Sequence, residues 1–130
     1  MIALDTNILA RYLLNDDHMQ TRAAGALLAQ DRSYTASPTV ILELAWVLKA
    51  NGCNRGEIIK GLRLLLGLPN FKPKAFEALC YAVRWFEEGM DFGDALHLAM
   101  SADDDEFHTF DKSLGKLAAN IGAMPPVRIL

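Results

Sequence analysis

A chain of 130 residues has the length of one ordinary domain, and it can bury a core without disulfides or a structural metal; a single domain over residues 1–130 is expected. Apolar residues make up 52 % and charged residues 22 %, with no Ser/Gly/Pro-rich tract, which excludes a disordered chain and leaves no visible linker or repeat. A net charge of −3 argues against a protein that coats nucleic acid, but not against a nuclease, whose metal-binding carboxylates demand local negative charge.

The opening "MIAL" is a short apolar run that ends at Asp5, as a buried strand does where it enters a helix, here over "TNILARYLL". "DDHMQTRAAGALLAQ" starts with Asp17 and Gln20 at capping-box spacing and continues with Ala and Leu at helical spacing, predicting a second helix. "SYTAS" reads as a short strand, and Pro38 then stands where the first turn of a helix tolerates proline. In that third helix "VILELAWVL" is apolar around its circumference except at Glu43, so the helix is expected to be buried. "NGCN" ends it, "RGEIIKGLRLLLG" is an amphipathic helix, and "LPNFKP" breaks the pattern, with room for a very short strand at Phe71. Helices follow over "AFEALCYAVRWFEEG" and "DFGDALHLAMSA", then a strand "EFHTF", a last helix "DKSLGKLAANIG" and a terminal strand "VRIL". Strands alternating with helices imply an α/β sandwich, with a mainly parallel central sheet and helices on both faces.

Cys53 and Cys80 lack the spacing of a zinc site and read as reduced structural thiols. The longest apolar stretch, "GLRLLLGL", is too short to span a bilayer and contains Arg63, and Asp5 interrupts any signal-peptide core, so the expectation is a cytoplasmic protein without a membrane partner.

In parallel sheets, sites form at the carboxyl ends of strands, where Asp5 and Asp111 lie. Both can cap the helices that follow, and Asp91 with Asp94 can open another. Glu43 is different: no Lys or Arg lies three or four residues away, and a carboxylate inside an apolar helix needs an ion-pair partner, a proton or a cation. If these acids converge they cannot all stay ionised alone, because two charges about 4 Å apart repel by roughly 4 kcal/mol at an effective dielectric of about 20. Such a cluster takes up protons, raising its pKa values, or a metal. All-oxygen ligation selects Mg²⁺ or Mn²⁺, and such an ion suits phosphodiester hydrolysis by activating water and stabilising the leaving oxygen. His18, His97 and His108 have no ligand spacing, and no Gly-rich phosphate loop is present. Haloacid-dehalogenase-like phosphatases also begin with an Asp at the end of a first strand, but they need a second Asp two residues later, where this chain has Asn7.

"LDTNIL", the lone Glu43 in "ILELAWVL", "DFGDALHLA" and "TFDKSLGKLA" resemble, in order and spacing, the four acidic motifs of the PIN-domain family, and the small single-domain form resembles its VapC-type toxins. The resemblance implies a small PIN-like α/β/α sandwich and a metal-dependent endoribonuclease that cleaves RNA, forms a homodimer and is silenced by a cognate antitoxin. It assigns Asp5, Glu43, Asp94 and Asp111 as catalytic and metal-binding, with Thr6, Asn7 and Thr109 as supporting polar residues. Asp91, a turn before Asp94, is either a further ligand or a helix cap. Lys112, Lys116 and Arg11 stand near these acids and are candidate RNA phosphate contacts. The alternative is a non-catalytic PIN-like RNA-binding or scaffolding module, which would bind RNA without metal-dependent cleavage. Trp46 and Trp85 read as core or dimer-interface residues.

Overall fold

In the computed structural model, which describes all 130 residues, the apolar opening forms β1 (Ile2–Ala3) and passes at once into α1 (Thr6–Leu14). α1 stops at Asn15, whose left-handed φ of 49° is a conformation that asparagine tolerates better than most residues. α2 (His18–Leu28) is capped by Asp17, which accepts from the Gln20 N–H at 3.0 Å. β2 (Tyr34–Thr35) leads into α3 (Pro38–Ala50), with Ser37 as cap and proline in the first turn. α4 (Arg55–Leu66) begins with a reciprocal box in which Asn54 and Glu57 each accept the other's backbone N–H. There follow α5 (Phe76–Glu87), α6 (Phe92–Ala99), β3 (Phe107–Thr109), α7 (Lys112–Ile121) and β4 (Val127–Ile129). No helix is long and apolar enough to cross a membrane.

The chain forms two compact units, Met1–Phe76 and Glu77–Leu130. In the first, β1 and β2 pair in parallel with Ile2 opposite Tyr34, and Tyr34 also bridges Phe71 in parallel, at the place where a very short strand is expected. α1 packs on α2 and α3, and α3 on α4. The core holds Leu9, Tyr34, Ile41, Leu44, Leu62, Leu65 and Phe71, each removed almost wholly from water, which stabilises the fold by about 1.5–3 kcal/mol per large apolar side chain. Tyr34 is tolerated there because its hydroxyl donates to the Leu27 carbonyl at 2.8 Å.

In the second unit β3 and β4 pair in parallel, Phe107 opposite Val127 and Thr109 opposite Ile129. α7 packs on β4. Gly115 allows the close approach: a Cβ there would stand 2.6 Å from Ile129 Cδ1. Phe86 and Phe92 meet edge to face at 5.6 Å within a core that includes Leu79, Ala82 and Leu98.

The α/β fold with parallel strands is as expected, the strands being two or three residues long and pairing as two two-stranded parallel ladders. One expectation needs correction: α3 is not buried all round. Its buried stripe is Ile41, Leu44, Ala45 and Leu48, while Glu43 faces solvent and Trp46, three residues on, is 58 % exposed. An apolar sequence provides the residues for burial on every side; packing of one chain covers one face only.

Candidate active site

β1 ends where its pairing with β2 ends, and the chain turns there into α1, so Asp5 stands at the carboxyl end of a strand and the amino end of a helix. Its Oδ1 accepts from the Thr6 N–H at 2.8 Å, while the carboxylate as a whole is exposed. Thr6 is 3 % exposed, and its Oγ1 has no hydrogen-bond partner; Asn7 is exposed. Glu43 stands on the second turn of α3, the helix against which α1 packs, and forms no ion pair. The first unit therefore holds two carboxylates, Asp5 and Glu43, that no Lys or Arg neutralises. Because Glu43 is exposed, the burial cost that the sequence attaches to it does not arise.

The second unit brings three acids to two helix starts. Asp91 caps α6, its Oδ2 accepting from the Asp94 N–H at 3.1 Å, so the cap reading of Asp91 is realised whatever else the residue does. Asp111 caps α7, its Oδ1 accepting from the Leu114 N–H at 3.0 Å. The Asp111 N–H in turn donates to Thr109 Oγ1 at 3.0 Å, so Thr109 fixes the backbone that aims this acid. Asp94 is half-buried in the first turn of α6. Partial burial raises its carboxyl pKa, and the charges of Asp91 and Asp111 raise it further, with His97 one turn on acting in the opposite direction. No Lys or Arg relieves that crowding.

The candidate phosphate contacts differ among themselves. Lys112 and Lys116 are exposed, a turn apart on α7. The Arg11 Nη1 instead sits 2.6 Å from both carboxylate oxygens of Asp16, which raises the arginine and lowers the acid. His108 lies 3.8 Å from Glu106, to which Arg128 is also bonded, so it belongs to a surface ion cluster. Cys53 and Cys80 are free thiols, and burial with the charge of Glu77 pushes the Cys80 thiol up, away from reactivity. Trp85 is buried, as expected of a core residue.

Phe110, which sequence reasoning passed over as the end of a strand, is 79 % exposed between Thr109 and Asp111. The signal was available: along β3 Phe107 and Thr109 are half-buried and His108 is exposed, so period-2 alternation puts residue 110 on the outward face.

Within neither unit do three His, Cys, Asp or Glu side chains gather closely enough to hold a metal ion by themselves. The chemistry of the donors nonetheless fits one kind of ion. Asp94 feels the carboxylate charges of Asp91 and Asp111, with His97 acting the other way, and Mg²⁺ takes one or two carboxylates while keeping much of its water.

No curated protein matches the chain. Among solved structures, Mycobacterium tuberculosis VapC20, a toxin that cleaves the sarcin-ricin loop, aligns over 95 % of this chain and 97 % of its own, at 17 % identity and a TM-score of 0.45. The family model of the PIN domain matches residues 2–120, taking in β1 with Asp5, α3 with Glu43, α6 with Asp94 and the turn carrying Asp111. The chain belongs to the PIN-domain family.

Proposed function

We propose that this chain is an endoribonuclease dependent on Mg²⁺ or Mn²⁺, and that it acts as the toxin of a toxin–antitoxin pair. The observation that carries the reading is the crowding of Asp94 by burial and by the charges of Asp91 and Asp111, against which only His97 acts and no Lys or Arg does. Such a group gains most from a cation that arrives from solution. Asp5, Glu43, Asp94 and Asp111 are the proposed metal-binding and catalytic acids, supported by Thr6, Asn7 and Thr109. Asp91 supports Asp94 through its cap. A family match running from residue 2 to residue 120 supports treating residues 1–130 as one nuclease domain. When bound, a divalent ion would supply positive charge at the scissile phosphate and an activated water.

The chain's own residues do the rest. Asp5 and Asp111 are held at helix starts by their caps, and Lys112 and Lys116 offer exposed charge for the RNA backbone. Arg11, paired with Asp16, is the weakest of the proposed contacts. The toxin role implies a cytoplasmic setting and a cognate antitoxin. A homodimer is supported by exposed Trp46 on α3 and Leu64 on α4, two helices that pack on each other and leave apolar surface uncovered.

The test is cleavage of structured and single-stranded RNAs in Mg²⁺ or Mn²⁺. Activity should vanish in excess chelator and fall by at least a hundredfold, on the order of what one reacting group supplies, in Asp5→Ala, Glu43→Gln and Asp94→Asn. Full activity in chelator would sink the proposal.

A further inference from the structure

Phe110 is the one phenylalanine that the fold leaves almost wholly in water: Phe71, Phe86 and Phe92 are buried, whereas Phe110 is 79 % exposed. A lone exposed apolar residue needs no explanation as such, but this ring is not on a loose tip. The Thr109 carbonyl accepts from the Leu130 N–H at 3.0 Å, and the Asp111 N–H donates to Thr109 Oγ1 at 3.0 Å. Asp111 is pinned in turn by the Leu114 N–H. The backbone is thus anchored on both sides of Phe110, and the ring is presented to solvent at little further cost in conformational entropy when something binds. Beyond it on α7 stand two exposed cations, Lys112 and Lys116. An exposed aromatic face on anchored backbone, beside exposed lysines, is what a single-stranded nucleic acid requires, since every base has a π-face and every linkage a negative charge.

We propose that Phe110 is a stacking platform that seats the base flanking the bond cleaved, so that an unpaired nucleotide at that position is part of what this protein recognises. This rests on the nuclease reading above, through the adjacency of Phe110 to Asp111. It gives the site a preference for single-stranded RNA that acids alone would not impose.

The experiment compares wild type with Phe110→Ala, Phe110→Leu and Phe110→Trp on a short, mixed-sequence single-stranded RNA that wild type cleaves at one bond. Because the ring is exposed, the melting temperatures should coincide, which separates binding from folding. The alanine and leucine variants should raise KM about tenfold with kcat within about twofold of wild type, and tryptophan should restore KM. An abasic nucleotide beside the cleaved bond should bring wild type to the level of Phe110→Ala and leave that variant unchanged.

Cleavage by wild type with an unaltered KM in Phe110→Ala overturns the platform and leaves the nuclease standing. Leucine as good as phenylalanine also overturns it, pointing to a protein or ribose contact in place of a base. If no RNA is cleaved with either metal, the nuclease reading fails, and fluorescence anisotropy of the same RNA decides for Phe110. Binding about tenfold tighter to wild type than to Phe110→Ala upholds the platform; equal or absent binding overturns it.

Discussion

A carboxylate that caps a helix and one that holds a cation occupy the same place in the chain at Asp5, Asp91 and Asp111, because a helix start calls for an acceptor whether or not an ion is to be bound. The two roles separate on substitution. Asparagine keeps the acceptor oxygen and removes the charge, whereas alanine removes both. Asp111→Asn should therefore melt within about 0.5 kcal/mol of wild type and Asp111→Ala should lose about 1 kcal/mol, while both lower RNA cleavage and neither as much as Asp94→Asn. Equal activity in wild type and Asp111→Asn would reduce Asp111 to a cap. Asp94 makes a pH-dependent contribution of its own. Burial and then Asp91 and Asp111 raise its carboxyl pKa, so the native state holds this proton to higher pH than the unfolded chain does. Below the unfolded value near 4 both states are protonated and the native state bears no crowded charge; as pH rises through the folded value, stability is lost. In chelator, Asp94→Asn should thus melt together with wild type at pH 3.5 and above it at pH 7, the gap opening across the interval between the two pKa values. Parallel curves would show that the crowding is not felt.

At the level of elements, nearly every helix and strand was legible in the sequence, down to the short extended residue at Phe71, because each change of period is marked by a cap or a breaker: Asp17, Ser37 and Asn54 before helices, Asn15 and Gly122 after them. What was not legible is how neighbours divide the surface of α3. Hydrophobicity around the whole helix was read as burial around the whole helix, yet burial is set by packing partners, and the face carrying Glu43 and Trp46 has none in this chain. The correction alters what Glu43→Gln should do. As an exposed, unpaired acid it carries no desolvation penalty, so the glutamine variant should melt within about 0.5 kcal/mol of wild type without metal while cleavage collapses. A variant that melts much higher would mean that Glu43 is crowded after all. The same open face bears on assembly: light scattering at micromolar concentration should report a dimer, and Trp46→Ser should shift it to monomer. A monodisperse wild-type monomer would remove the dimer from the proposal.

Across the whole molecule, the four acids of the proposed centre are divided between units, Asp5 and Glu43 in one and Asp94 and Asp111 in the other. The order of the motifs along the sequence was readable, and the family match spans all four of them. The closure of a metal site was not, since it depends on tertiary positions that no local period encodes. The division makes the metal centre testable by stability alone. An ion that binds the native site and not the unfolded chain should add about 2.7 kcal/mol at a hundredfold excess over its dissociation constant. If Asp5 and Asp94 both serve the ion, Asp5→Asn and Asp94→Asn should each abolish most of that gain, and the double variant should lose little more, because removing either ligand has already emptied the site. If only one of them serves it, that variant alone would lose the Mg²⁺-induced rise in melting temperature and the other would keep it in full. Melting curves of the four proteins in chelator and across a Mg²⁺ titration distinguish these outcomes, and a rise that is the same in all four would place the ion elsewhere on the protein.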